Sequence, residues 1–190
     1  EGKTPMYTED YISKYKANRG SEEYPDTDWG KEVFSEPGLQ QSYGITATGG
    51  SKKAKLLLSA NYISQQGNMK NTGFDRYGLR INSDLTPTEK INVSIDLNAN
   101  YTQRWEPGSG FGETLYQTYR TAPMYAAYYD GGSRFAEGYI GTNPAAIASE
   151  DAGRNEYKCA DITALGKLSY EPLSGLKATF IFSPHFMYYN

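Results

Sequence analysis

Along this chain the arrangement of apolar and polar positions changes character once, near residue 42. Before that point the sequence is polar and irregular, with two short helical stretches. Thr8 is placed to cap a turn in which Tyr11, Ile12 and Tyr15 share a face, and Gly20 stops it. Asp28 opens a second stretch that carries Trp29, Val33 and Phe34 before Pro37. From residue 42 the period is two. Ile91, Val93, Ile95, Leu97, Ala99 and Tyr101 alternate without exception with Asn92, Ser94, Asp96, Asn98 and Asn100, as a strand with one apolar and one polar face requires. The pattern recurs in Tyr43/Ile45/Ala47, Ala54/Leu56/Leu58/Ala60/Tyr62 and Tyr77/Leu79/Ile81. It returns in Ala160/Ile162/Ala164/Leu168/Tyr170 and Leu176/Ala178/Phe180/Phe182. Six consecutive antiparallel strands are predicted.

The connections between these strands alternate in length. Gly49-Gly50-Ser51-Lys52-Lys53, Thr86-Pro87-Thr88-Glu89-Lys90 and Leu173-Ser174-Gly175 are tight turns, whereas residues 64–73 and 105–156 are long links. Membrane-crossing sheets do this, with turns at one rim and loops at the other. Tyr62, Tyr77, Tyr101 and Tyr170 lie near strand ends, where an aromatic girdle would sit. A soluble sandwich with one wet face shows the same alternation within any single strand. The number of long strands, the loop-length alternation and the terminal tyrosines together favour a barrel wall, with its apolar face toward outer-membrane lipid and its polar face lining a wet lumen.

The link over 105–156 is too long for an ordinary loop and too rich in aromatics for disorder. Glu113 to Ala122 is predicted as a helix with Leu115, Tyr116, Tyr119 and Ala122 on one side, ended by Pro123. Its aromatics serve either to pack the loop on itself or to stack on a ligand.

Composition narrows the function classes. Hydrophobic residues make up 38% of the 190, so no apolar run is long enough for a membrane-spanning helix, whereas a membrane barrel needs apolar residues only at alternate positions. Acidic and basic residues number 22 and 19, a balance that argues against a nucleic-acid surface. The opening Glu1-Gly2-Lys3-Thr4-Pro5 has no signal-peptide character, so the chain is expected either to stay inside the cell or to be part of a longer protein. A single Cys159, expected to be a quiet packed thiol, excludes a disulfide framework and a cysteine zinc site, and no metal or cofactor is expected.

Other motifs fall short. Gly108-Ser109-Gly110-Phe111-Gly112 brings its third glycine one residue early for a dinucleotide turn. Asp26-Thr27-Asp28 opens like a calcium loop but has Lys31 and Pro37 where glycine and glutamate belong, so a helix cap at Asp28 is the simpler account. The sequons at Asn92 and Asn100 sit within strands, and His185 has no partner that sequence can assign, so no catalytic set is expected.

The ordered series Tyr24-Pro25-Asp26-Thr27-Asp28-Trp29, Val33-Phe34, Thr48-Gly49-Gly50-Ser51, Asn61-Tyr62, Gln66-Gly67-Asn68, Phe74-Asp75-Arg76-Tyr77, Leu79-Arg80-Ile81-Asn82, Ala122-Pro123 and Asn143-Pro144-Ala145 resembles the early barrel region of SusC/RagA-like TonB-dependent outer-membrane transporters. The resemblance runs in order from about Tyr7 to the end. It implies part of a large plugged barrel that imports oligosaccharides or peptides across the outer membrane of Bacteroidetes-type bacteria. It also implies a SusD-like surface lipoprotein over the mouth, and TonB engaged through a region upstream of this chain.

The expected fold class is therefore all-β: antiparallel strands of a partial transmembrane β-barrel, with long extracellular loops carrying short helices. Residues 1–41 are expected as an extracellular loop, 42–104 as four strands, 105–156 as a long extracellular loop with a short helix, and 157–190 as two further strands. Polar residues such as Arg76, Arg80, Asp84, Asp96 and Asn98 are expected to line the path, and Trp105, Tyr116, Tyr119 and Tyr125 to contact substrate, with no bond made or broken. Two alternatives stay open: a secreted or surface β-sandwich carbohydrate-binding or adhesin module, and an outer-membrane enzyme whose catalytic residues lie outside this chain.

Overall fold

The computed structural model describes residues 7–34 and 37–190. The opening residues 1–5 considered above lie outside that range. The chain divides into a loop unit, up to Pro37 with Asn68–Thr72 and Glu106–Asn155, and a sheet unit of Gly38–Gly67, Gly73–Trp105 and Glu156–Asn190.

The sheet unit is one open, seven-stranded sheet built from β1 (Gln40–Gly50), β2 (Ala54–Gln66), β3 (Gly73–Thr88) and β4 (Ile91–Pro107), followed by β7 (Arg154–Leu173), β8 (Leu176–Phe182) and β9 (His185–Tyr189). Spatial order follows chain order, β1-β2-β3-β4-β7-β8, and β9 also pairs with β7. The first four strands form antiparallel pairs, as do β7 with β8 and β7 with β9. The antiparallel fold class is thus as expected, and the strands run longer than the alternation alone marked. β3 reaches 16 residues and β7 reaches 20, close to or beyond twice the length that a tilted strand needs to cross a bilayer core.

Register explains the alternation. Tyr43 faces Tyr62, Tyr62 faces Tyr77 and Tyr77 faces Tyr101, so the four tyrosines form a row across four strands. Their ring centroids are 6.4, 4.8 and 6.3 Å apart. On the same face the next rows are Ile45/Ala60/Leu79/Ala99 and Ala47/Leu58/Ile81/Leu97, and Ala54, Leu85 and Val93 close the band. From Val93 to Tyr101 is eight residues. At about 3.4 Å per residue and a tilt of about 40°, that makes a band about 20 Å high, near the lipid-facing height of an outer-membrane barrel. Ile45 and Tyr43 in the band are exposed, at 72% and 60%, and Ala60, Ile81, Leu97 and Ala99 are half-buried. Among the described residues no second sheet of comparable size packs on this face, as a sandwich would require.

The opposite face is polar. Thr46, Ser59, Arg80 and Asn98 share one row, and Thr48, Asn82 and Asp96 share another. They bond one another: Thr46 with Ser59 at 2.9 Å, Arg80 to Asn82 at 2.9 Å, Asn82 to Asp96, and Ser94 to Asp84 at 2.7 Å. Arg76, Arg80, Asp84, Asp96 and Asn98 all fall on this face by register. A shallow cavity of about 390 Å³ lies here among Arg80, Asp96, Asn98, Thr163 and Ser183.

The loop unit holds α1 (Glu9–Asn18), α2 (Trp29–Val33), α3 (Phe111–Arg120), a two-residue hairpin β5 (Tyr128–Tyr129) and β6 (Arg134–Phe135), and α4 (Pro144–Ile147). Thr8 caps α1 and Asp28 caps α2, as expected. Asp26 is engaged by Arg19 at 2.7 Å, which fits no calcium loop. Two small cores hold the unit: Trp29, Ala127 and Ala145 with Tyr125, Tyr128 and Phe135 packed against them, and Val33, Met69 and Ala148 with Phe34 and Leu115. No helix among the described residues is long and apolar enough to cross a membrane.

Candidate functional site

The loop unit is tied together by the motif residues. Trp29 donates from Nε1 to the Ala122 carbonyl at 3.0 Å, the Thr27 amide donates to Pro123 O at 2.8 Å, and Thr27 Oγ1 donates to Tyr125 O at 2.7 Å. Asn143, 4% exposed, satisfies its whole carboxamide. Oδ1 accepts from the Ala145 and Ala146 amides and so caps α4, while Nδ2 donates to Ala127 O at 2.7 Å and Ala136 O at 2.9 Å. One side chain thus fixes a helix start and two loop strands, so the Asn-Pro-Ala run is structural.

Helix α3 turns its threonine side inward and its aromatic side outward. Thr114, Gln117 and Thr118 are buried, whereas Phe111, Tyr116 and Tyr119 are exposed, Tyr119 at 80%. Threonine can line the inner side because its hydroxyl bonds back along the helix and leaves its methyl group to pack. Thr114 Oγ1 donates to Gly110 O at 2.9 Å, Thr118 Oγ1 to Thr114 O at 2.7 Å and Thr121 Oγ1 to Gln117 O at 2.8 Å. Leu115 alone of the expected apolar face packs inward, against the Val33 core.

The exposed side of α3 ends in Arg120. Its guanidinium carbon lies 5.8 Å from the centre of the Tyr116 ring and 5.1 Å from that of Tyr139, cation–π contacts worth about 0.5–1 kcal/mol each at an exposed position. Tyr139 meets Tyr125 edge-on at 5.3 Å. Tyr125 is half-buried, and burial first, then the neighbouring Tyr7 and Tyr139, raise its hydroxyl pKa above the usual tyrosine value. Burial and then the Glu32 carboxylate, which shares a hydrogen bond with it, raise Tyr128 likewise.

Of the four expected contact residues, Tyr116 and Tyr125 are thus linked through Arg120 and Tyr139, and Tyr119 stands exposed on the same helix. Trp105 belongs to the sheet unit. Its indole lies across Gly73, the residue it faces in the ladder, so closely that a Cβ at Gly73 would meet ring carbons at 2.1 Å. Arg120 and Tyr139 were not marked by sequence. Their residue types carry no motif, and 19 positions with a turn separate them.

His185 has a partner that the sequence did not show: Asp161 Oδ1, 3.0 Å from Nε2, two residues from its ladder partner Thr163 on β7. Cys159 is a free, half-buried thiol on that strand. Among the described residues no group of three or more His, Cys, Asp and Glu could hold a metal ion.

No protein-family model matches the chain. It is 28% identical over 169 residues to TonB-dependent receptor P3 of Formosa agariphila, covering 83% of this chain and 16% of that protein. With TonB-dependent receptor P26 of the same organism it shares 28% over 102 residues, 54% of this chain and 10% of that one. The chain therefore spans about a sixth or less of the curated relatives it matches. Its fold matches a chain of the RagAB peptide importer in the closed-closed state with a TM-score of 0.65 at 17% identity, over 86% of this chain and 19% of that chain.

Proposed function

We propose that this chain, a SusC/RagA-like segment of a TonB-dependent outer-membrane receptor, supplies a section of barrel wall together with the substrate-facing loops of an importer. The observation that carries the reading is the sheet's two-sidedness: an exposed apolar band with a tyrosine row on one face, and a hydrogen-bonded polar surface on the other. The first face suits lipid and the second a wet lumen.

Connectivity supports the orientation. The tight turns after β1 and β3 and between β7 and β8 leave from one end of the sheet, and the long connections leave from the end nearer the tyrosine row. Under the turn rule the long connections, including 1–41 and 105–156, are extracellular. Tyr116, Tyr119 and Tyr125 then meet an oligosaccharide or peptide by stacking, and Trp105, seated on Gly73 in the sheet unit, is a separate candidate contact. The ligand passes unchanged, without a cofactor. A SusD-like lipoprotein at the mouth and TonB from the inner side are the partners this reading requires.

The test uses the full-length protein. It should leave cells only with detergent and migrate differently before and after heating. Tyr119→Ala and Tyr116→Ala should each weaken binding of oligosaccharide or peptide about tenfold, the loss of one good stacking contact, with heat-modifiable migration intact. Extraction without detergent, or unchanged affinity in both variants, would overturn the reading.

A further inference from the structure

The Arg120 cluster carries an inference about ligand chemistry that rests on the reading of the loops as substrate-facing. Arg120 is exposed, and among the described residues none of its N–H donors has a hydrogen-bond or ion-pair partner. Several surface cations of this chain pair with carboxylates, as Lys14 does at Asp10, Arg19 at Asp26 and Arg134 at Asp130. Arg120 is held instead by the rings of Tyr116 and Tyr139, which fix its position without consuming a donor.

The second ring is presented by a strained turn. Tyr139 and Thr142 exchange both backbone hydrogen bonds at 3.0 Å around Ile140 and Gly141, whose φ angles are 51° and 73°. Positive φ at both central residues is the geometry of a type I′ turn, which asparagine and glycine adopt readily and a β-branched residue does not. Ile140 nevertheless occupies it, with its side chain 73% exposed and so without compensating burial. Strain of this kind persists where surrounding structure over-determines it, and it concentrates at ligand clamps. What it holds here is Tyr139 over Arg120.

We propose that Arg120, framed by Tyr116 and Tyr139, binds a carboxylate of the transported ligand while the exposed Tyr119 stacks on the adjoining ring or side chain. A guanidinium with free in-plane donors takes a carboxylate through two parallel N–H···O bonds. The carboxylate belongs either to an acidic sugar or to a peptide, and the chemistry at Arg120 is the same.

Binding to the full-length receptor in detergent separates the cases. The probes are trigalacturonate and its methyl ester, and N-acetyl-trialanine with a free carboxylate and as its amide. One acid should bind at least about tenfold tighter than its neutral partner, and the pair that shows the preference identifies the source. Arg120→Gln should erase the preference by weakening the acid far more than its neutral partner, with heat-modifiable migration retained, and Arg120→Lys should keep part of it. Neutral probes bound as tightly as acids, or a preference that survives Arg120→Gln, overturns the Arg120 assignment and leaves the import reading standing. A receptor that binds none of the four overturns both.

Discussion

The hydroxyl of Ser183 donates to the carbonyl of Ala164 at 3.1 Å, where the missing amide of Pro184 would otherwise have bonded. Ala164 N donates to Pro184 O at 3.0 Å, so residues 164 and 184 face each other as a hydrogen-bonded pair with one bond supplied by a neighbour's side chain. The register is unbroken across the proline: Gly166 faces Phe182 and Thr163 faces His185. β8 and β9 are therefore one strand interrupted in name only. Ser183→Ala should loosen it by about 0.5–1 kcal/mol, at the low end because water can reach the carbonyl. Faster hydrogen exchange of the amides after Pro184 reads the change, and the double variant Ser183→Ala/Pro184→Ala, which regains a backbone donor, should restore protection.

Asn143 should be the most sensitive polar residue of the loop unit. Asn143→Ala removes the α4 cap and leaves the Ala127 and Ala136 carbonyls without their donor, a combined cost of about 2–4 kcal/mol. Asn143→Asp keeps the cap oxygen and still loses both donated bonds. Both variants should become open to proteolytic cutting within 105–156 while the sheet keeps its heat-modifiable migration. Equal resistance to protease in the wild type and both variants would contradict this role.

The strands and the tyrosine row were legible because each depends on a period of two and on neighbours in sequence. Ile91 to Tyr101 alternates so regularly that face and register follow almost directly. What stayed hidden involved residues with two natures or contacts across turns. Thr114 and Thr118 count as polar in any pattern, yet they bury their methyl groups once their hydroxyls bond the helix carbonyls. The alternation marked the last strand only to Phe182, and nothing in the sequence shows that Ser183 supplies the bond that Pro184 lacks. Arg120 and Tyr139 meet only because an isoleucine adopts a turn that its own chemistry disfavours.

That turn gives a direct prediction about stability. Ile140→Asn places a residue that tolerates positive φ at φ 51° and should stabilise the hairpin by about 1 kcal/mol. Ile140→Gly should gain less, because glycine's extra freedom in the unfolded chain offsets about 0.5–1 kcal/mol. Hydrogen exchange at the Thr142 amide reads both. Protection that falls in Ile140→Asn would show that the isoleucine side chain, not the backbone, fixes the turn.

Alkaline pH should act on the loop unit through Tyr128. Burial and then Glu32 hold its pKa above the unfolded value of 10.0, so folding favours the protonated phenol. The resulting stabilisation is fully present below pH about 10 and is lost as pH rises through the higher folded value. Tyr128→Phe cannot ionise and should remove this part of the dependence. A stability profile for Tyr128→Phe that falls above pH 10 as steeply as the wild type would assign the effect to other groups, Tyr125 first.

The two faces of the sheet predict opposite responses to one substitution. Leu58 lies in the row Ala47/Leu58/Ile81/Leu97, midway between the tyrosine row and Val93. A cation there would sit near the centre of the lipid band. Leu58→Lys should cost about 2–4 kcal/mol in membrane assembly, because the ammonium has neither water nor a counter-ion in reach at that depth. Thr48 is one residue from the Leu58 row on β1, but its side chain is on the polar face, in the row of Asn82 and Asp96. Thr48→Lys should therefore assemble as the wild type does, since the lumen hydrates the charge. The amount of heat-modifiable protein recovered from outer membranes measures both. If Leu58→Lys assembled normally and Thr48→Lys did not, the apolar face would have to be the interior one, and the lipid assignment of the tyrosine row would fall with it.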